Sequence, residues 1–239
     1  MSEWFESWFG EDYVALYPHR DEAEAEHAIE LIERSVAGRE VDRVLDVACG
    51  AGRHARSLAD RWWTLGIDLS EVLLRLAKQE ESPASFVRGD MRVLPFANGA
   101  FDLVVNLFTS FGYFETDAEH RLVFDEVARV TADGGTFVID FLNAGRVRTN
   151  LVPYDERVID GKIVEQTREI TDDGRYVVKT IRIRGEARKF VERVRLFTPE
   201  ELTRMMTDSG FEVTGCHGDY MAAPLQRHSP RVIIFGKRQ

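Results

Sequence analysis

Eleven residues constrain this chain most: Val44-Leu45-Asp46-Val47-Ala48-Cys49-Gly50-Ala51-Gly52-Arg53-His54. An apolar run carries a carboxylate, two glycines follow, and a helical pattern begins. This reads as a strand, a tight turn and a helix N-terminus, the arrangement that holds nucleotide-type ligands at the carboxyl edge of a parallel sheet. The glycines let the backbone bend sharply and let a ligand lie against it with no Cβ between. The helix start offers free N–H groups. Asp46 is set to accept from hydroxyl or ammonium groups.

The segments around this turn alternate. Strands are predicted at 43–48, 63–67, 85–87, 101–106 and 135–142, with helices at 53–61, 71–79 and 118–131 between them. Alternation at these lengths implies a parallel sheet, and strands apolar throughout imply helices on both faces. The fold class is therefore α/β, a doubly wound, mostly parallel Rossmann-like sheet. Alternation stops at 155–197, which reads as three β segments, 155–171, 175–185 and 188–197. Asp172-Asp173-Gly174 is a hairpin turn between the first two. In the second, Val177, Lys179, Ile181 and Ile183 form a largely apolar face. A last helix at 199–208 and strands at 211–217 and 231–236 complete seven strands in the main sheet.

Two cofactor classes use a turn such as Gly50-Ala51-Gly52. Read loosely, residues 50–55 satisfy G-x-G-x-x-G/A, and Asp68 stands 18 residues after Gly50, where a ribose-binding acid belongs. That arrangement would suit an NAD(P)-dependent oxidoreductase. Asp46, however, would repel dinucleotide phosphates. A third acidic turn follows at Gly89-Asp90-Met91, and the strand 101–106 ends in the amide of Asn106. Acids at 46, 68 and 90 suit an ammonium group, a ribose diol and an adenine amine. S-adenosylmethionine has these groups and no phosphate.

At this point the chain resembles a known family. Asp46-Val47-Ala48-Cys49-Gly50-Ala51-Gly52 is similar to the glycine-rich first motif of class I S-adenosylmethionine-dependent methyltransferases. Asp68-Leu69-Ser70 resembles their second motif, Gly89-Asp90-Met91 their third, and Phe101-Asp102-Leu103-Val104 their fourth. Residues 129–137 resemble the helix-to-strand turn that follows. The resemblance spans roughly residues 40–142, with an echo at 197–202 and 209–211. It implies S-adenosylmethionine as cofactor, with Asp46, Ala48, Cys49, Gly50, Gly52, Asp68, Leu69, Asp90, Met91, Asn106 and Leu107 around it. Tyr13 and Arg20, ahead of the first long helix, join that set. A cofactor-binding protein without turnover shares the same motifs and stands as a further alternative.

The acceptor is expected to be a small molecule whose attacked atom, N, O or C, the residues leave open. Its pocket should draw on the aromatic loop 107–114, the N-terminal segment, the 155–197 insertion and the 217–231 loop. Tyr113, His19 and His217 are the candidate catalytic groups. His228 is a further acceptor contact to weigh, His54 reads as structural or solvent-facing, and His120 as a solvated residue opening a surface helix. The insertion resembles the antiparallel roof that some small-molecule methyltransferases, such as sugar amine N-methyltransferases, place over the acceptor or use to pair subunits. A homodimer through it is one arrangement this allows.

The first 17 residues carry Trp4, Phe5, Trp8, Phe9, Tyr13 and Tyr17. They read either as an apolar helix on the core or, with residues up to 38, as a helical lid over the cofactor mouth. From 21 to about 36 runs an amphipathic helix burying Ala25, Ala28, Ile29, Ile32 and Val36. The 239 residues suit one methyltransferase domain over 1–239. The net charge of −10 and absence of a basic run argue against a nucleic-acid partner. Two cysteines make no disulfide framework, and no Cys/His spacing suggests a metal. Without a secretory leader or the ~20 apolar residues of a membrane helix, the cytoplasm is the expected location and no membrane partner is expected.

Overall fold

The computed structural model describes residues 3–17 and 22–239. His19 and Arg20 lie outside them. Three helices, α1 (Trp4–Trp8), α2 (Glu11–Leu16) and α3 (Glu22–Val36), lead into β1 (Arg43–Val47). Then follow α4 (Arg53–Ala59), β2 (Trp63–Asp68), α5 (Glu71–Ala77), β3 (Ser85–Arg88), β4 (Phe101–Asn106), α6 (Asp117–Val130), β5 (Thr131–Leu142) and α7 (Ala144–Asn150). The insertion is β6 (Tyr154–Ile159), β7 (Lys162–Ile170), β8 (Tyr176–Ile183) and β9 (Lys189–Arg195), and the chain closes with α8 (Pro199–Asp208), β10 (Phe211–His217) and β11 (Arg231–Arg238).

The main sheet has seven strands in the order β10-β11-β5-β4-β1-β2-β3. All pairs are parallel except those of β11, which is antiparallel to β5 and β10. Strand order reverses between β1 and β4, so the ligand crevice lies outside their carboxyl ends. Leu45, Val47, Val104, Phe137 and Ile139 belong to the apolar layer on one face, and Val44, Leu103, Val105 and Val138 to that on the other. Alternate side chains of each strand thus go to opposite layers.

The insertion is a separate antiparallel sheet, β6-β7-β8-β9, with four strands rather than three. A tight turn at Asp160-Gly161, both with positive φ, divides what reads as one long segment. Asp-Gly is a favoured two-residue hairpin dipeptide because both positions take positive φ, so this turn is written in the sequence and the single-segment reading passes over it. Helix α7 also escaped prediction. Asn143 caps it by accepting from the N–H groups of Gly145 and Arg146. Arg195, 5% exposed, pairs with Asp117 on α6 and Glu201 on α8, and stacks on Phe197 at 4.6 Å. It anchors the end of the inserted sheet to the main body.

The N-terminal aromatics are packed. Trp8 is 2% exposed, lies 4.7 Å from the Phe190 ring on β9, and donates to Glu192. Phe5 sits edge-on to Phe114, and the Trp4 indole donates to the Tyr113 carbonyl. These contacts join α1 to the inserted sheet and to the loop after β4.

His120 corrects the expectation of a solvated residue. It is fully buried, with the rings of Phe111, Phe114 and Phe197 at 5.1, 5.2 and 4.9 Å. The residue lies in the first turn of α6, but its ring turns inward because two backbone partners await it. Nε2 accepts the Phe114 N–H, so Nδ1 carries the hydrogen and donates to the Thr116 carbonyl. A second proton on Nε2 would oppose the Phe114 N–H, and burial brings the pKa down to about 4 from 6.5. The neutral ring's contribution is complete above pH ~6.5 and is lost as pH falls toward 4. The stability difference between wild type and His120→Phe is expected to move against the wild type by roughly 2 kcal/mol between pH 7 and pH 5. Comparing the two proteins by urea unfolding isolates this from carboxylates titrating in the same range. A gap constant with pH would refute it.

Candidate active site

A cavity of about 420 Å³ opens at the carboxyl ends of β1 to β4. The turn after β1 supplies Ala48, Cys49 and Gly50, the end of β2 Asp68 and Leu69, the turn after β3 Asp90 and Met91, and the end of β4 Leu107. Phe5, Phe9, Tyr13 and Tyr17 close the opposite wall. Ala48 and Gly50 both adopt positive φ, 58° and 57°, which bends the strand end sharply into the helix. Gly52 also takes positive φ, 81°, but does not line the cavity and serves packing. A Cβ on it would meet the Phe86 ring at 2.7 Å, so only glycine lets α4 approach β3.

Asp68 is fixed by the turn it faces. Its Oδ2 accepts the Gly50 N–H and its Oδ1 the Ser70 N–H, each at 2.8 Å. Burial raises its pKa, against the pull of these backbone donors. Each oxygen keeps a lone pair for a ligand. Asp90 differs, since its carboxylate takes Arg92 through the backbone N–H, Nε and a terminal nitrogen. Burial works to raise the Asp90 pKa, but Arg92 outweighs it and holds the group below the usual carboxylate range. Arg92 also binds Glu3 and Glu119, tying the N-terminus to the third turn.

Asp46 and Asn106 are not cavity-wall residues. Both are 1% exposed and lie behind the wall. β-Strand alternation turns these side chains into the protein rather than toward the strand-end cleft. Burial pushes the Asp46 carboxyl up to about 8, with the negative charge of Asp68 adding to it. Asn106 donates to the Val47 and Ser110 carbonyls, so it clamps the loop after β4 to the end of β1. His54 lines the cavity, 7% exposed, with its ring 6.3 Å from Phe108.

A second cavity of about 650 Å³ adjoins the first beneath the inserted sheet. Phe9, Tyr13, Tyr17, Phe108 and Tyr113 line both, so the two share an aromatic wall. Phe108 and Thr109 stand there with consecutive positive φ, 57° and 64°. Asp140 on β5 holds them. Its Oδ2 accepts the Phe108 N–H and the Tyr220 hydroxyl, while its Oδ1 accepts Arg231 at 2.7 Å. The Tyr113 hydroxyl donates to the Thr109 carbonyl at 2.6 Å.

On the second cavity's other side, Glu192 Oε1 accepts from Trp8 at 2.9 Å and from the Tyr17 hydroxyl at 3.2 Å, and Glu192 Oε2 pairs with Lys179 at 3.3 Å. Lys179 also donates to the Tyr17 oxygen. Burial raises the Tyr17 pKa, with Glu192 adding to it, and lowers that of Lys179. Sequence reasoning missed this group. Its signal was a lysine on the otherwise apolar face Val177, Ile181 and Ile183.

The candidate His217 lines neither cavity. It ends β10, at the correct sheet edge but on the outermost strand, and its ring packs on Phe235 at 5.7 Å. His228 also stays outside both, with its Nδ1 3.4 Å from the Thr149 hydroxyl. Among the described residues no helix is long and apolar enough to cross a membrane.

Known proteins share this architecture. Residues 44–135 match the family described as a methyltransferase domain. The Bacillus subtilis protein YqeM, named as a methyltransferase, is 28% identical over 218 residues, covering 84% of this chain and 85% of that protein. The dTDP-3-amino-3,4,6-trideoxy-alpha-D-glucopyranose N,N-dimethyltransferase of Streptomyces venezuelae is 31% identical over 132 residues, 55% of this chain and 51% of its own length. A crystal structure of a S-adenosylmethionine-dependent methyltransferase from Clostridium acetobutylicum superposes with a TM-score of 0.80 at 18% identity, over 95% of this chain and 98% of the other. The oxidoreductase reading of the glycine turn finds no support in these likenesses. The motifs at 46–52, 68–70, 89–91 and 101–104, the sheet order and the matched domain agree, and the chain is an enzyme of the class I S-adenosylmethionine-dependent methyltransferases.

Proposed function

We propose that this enzyme moves the sulfonium methyl of S-adenosylmethionine to a small-molecule acceptor seated in the cavity beneath the inserted sheet. The observation that carries this reading is the shared aromatic wall. A cofactor in the first cavity and an acceptor in the second would meet across Phe9, Tyr13, Tyr17, Phe108 and Tyr113. Methyl transfer is an in-line displacement, so alignment and exclusion of water supply most of what a protein can offer.

The first cavity's residues fit the cofactor. Asp68 offers two lone pairs to a ribose diol, and Leu69 and Met91 offer apolar flanks to a planar base. Asp90 stands where the adenine amine would be met. The positive-φ turn at 48–50 lets the backbone lie close to the methionine portion. Bound there, the cofactor supplies the electrophilic methyl group. The chain's own part is to hold the partners in line across a dry wall.

The acceptor atom is best read as an amine, as in the N,N-dimethyltransferase relative from Streptomyces venezuelae. Tyr113 is the candidate group for orienting it. Its hydroxyl proton is committed to Thr109, so the oxygen can only accept, and an N–H donated to it leaves the nitrogen lone pair for attack. Incubating the enzyme and S-adenosylmethionine with a fractionated metabolite pool should yield a compound heavier by one methyl group, in step with release of the demethylated cofactor. Tight cofactor binding with no mass gain in any fraction would overturn the small-molecule reading.

A further inference from the structure

We infer that the acceptor is an anion, held by its phosphate or carboxylate group at the end of the second cavity remote from the cofactor. This rests on the reading that the second cavity receives the acceptor. Among its described lining residues are five cations, Arg146, Arg157, Arg168, Lys179 and Arg231, against two carboxylates, Asp155 and Glu192. The protein as a whole has a net charge of −10, so a cationic chamber runs against its overall balance.

Pairing narrows the excess to one place. Lys179 is matched by Glu192, and Arg231 by the buried Asp140 behind the wall. Arg168 and Arg157 share one carboxylate, Asp155, at 2.5 and 3.6 Å. Arg146 donates to the His228 carbonyl, a neutral group. Two positive charges therefore remain uncompensated within the lining, on Arg146, Arg157 and Arg168. Arg168 is further fixed by donating to the Gln166 side-chain oxygen, while the Arg157 side chain stays largely open to solvent.

Position adds the second half. None of these three arginines lines the cofactor cavity, whereas the aromatic wall lines both. An acceptor anchored by its anion at the arginines would extend its other end to that wall, where the methyl group is delivered. Arginine suits the task because its planar fork takes two oxygens of a phosphate or carboxylate at once. With two uncompensated charges the site matches a phosphate ester or diphosphate in full and a single carboxylate in part.

Two measurements on the full chain test this. In the first, the metabolite pool is split on an anion exchanger at neutral pH before incubation with enzyme and S-adenosylmethionine. Methyl-accepting activity is expected in the retained fraction, and activity confined to the flow-through overturns the inference while leaving the methyltransferase reading intact. In the second, inorganic pyrophosphate, inorganic phosphate and acetate are titrated calorimetrically into protein saturated with S-adenosylhomocysteine. At least one should bind, and the double variant Arg146→Gln, Arg157→Gln should weaken that binding at least ~10-fold with cofactor affinity unchanged. Pyrophosphate binding assigns a phosphate-bearing acceptor, and acetate binding alone assigns a carboxylate. No binding of any probe, or equal binding by the variant, overturns the inference. Failure of the protein to bind S-adenosylhomocysteine would instead strike the cofactor reading beneath it.

Discussion

Replacing Asp68 with alanine is expected to weaken S-adenosylmethionine affinity at least ~10-fold. Two charge-assisted hydrogen bonds to ribose hydroxyls would be lost, each worth ~1.5–3 kcal/mol in a partly buried site. The same change strips the Gly50 and Ser70 N–H groups of their acceptor, so the turn that shapes the cavity loosens as well. Asp90→Ala should cost less affinity, because the Asp90 oxygens are already filled by Arg92 and one ligand hydrogen bond at most is at stake. Calorimetric titration of both variants, with circular dichroism to confirm folding, measures the difference. A folded Asp68→Ala protein with the wild-type dissociation constant, or an Asp90 effect larger than the Asp68 effect, would refute these roles.

The second large effect is expected at Asp140, far from any motif. Asp140 is fully buried, and Asp140→Ala leaves Arg231 without its carboxylate and the Tyr220 hydroxyl and Phe108 N–H without an acceptor. Removing one partner of a buried ion pair costs ~3–5 kcal/mol. For a chain of this size that corresponds to a fall in Tm of about 10 °C. Phe108 and Thr109 hold consecutive left-handed conformations that the Asp140 side chain helps to fix through the Phe108 N–H and Arg231, so the shared wall should relax. The activity lost should therefore exceed the fraction unfolded when assayed well below Tm. A variant with unchanged Tm, or one whose turnover per folded molecule equals wild type, would show that Asp140 does not set this wall.

The glycine turn at 50–52 and the strand-end acids at 68 and 90 are local features. Their spacing follows from strand and helix lengths, so they can be read without knowing what lies across the sheet. Helix α6 was legible for the same reason, as Thr116 and Glu119 form a capping box. The inserted sheet was legible as alternation, and its fourth strand was legible too in the Asp160-Gly161 turn, a local hairpin signal that the reading of 155–171 as one segment passes over.

Asp46, Asn106 and His120 mark where local reading fails. Whether a polar side chain faces a ligand or the interior depends on what packs against its strand or helix. Asp46 and Asn106 prove to be buried behind the cavity wall, and His120 points inward to Phe114 and Thr116. His217 fails differently: it stands at the expected edge but two strands beyond β5, since chain order says nothing of lateral distance.

By itself, then, the sequence determined the α/β sheet, the strand-end turn and the methyltransferase class, because each is written in short runs whose conformations are set by neighbours along the chain. Only the tertiary structure decided what faces the cofactor cavity. It brought residues as distant as Tyr17, Lys179 and Glu192 into one hydrogen-bonded group and set Arg146, Arg157 and Arg168 on one chamber. It also joined Asp140, Tyr220 and Arg231 behind Phe108. Such groups form between elements, where the energy lies in burying and pairing charges that no local pattern brings together.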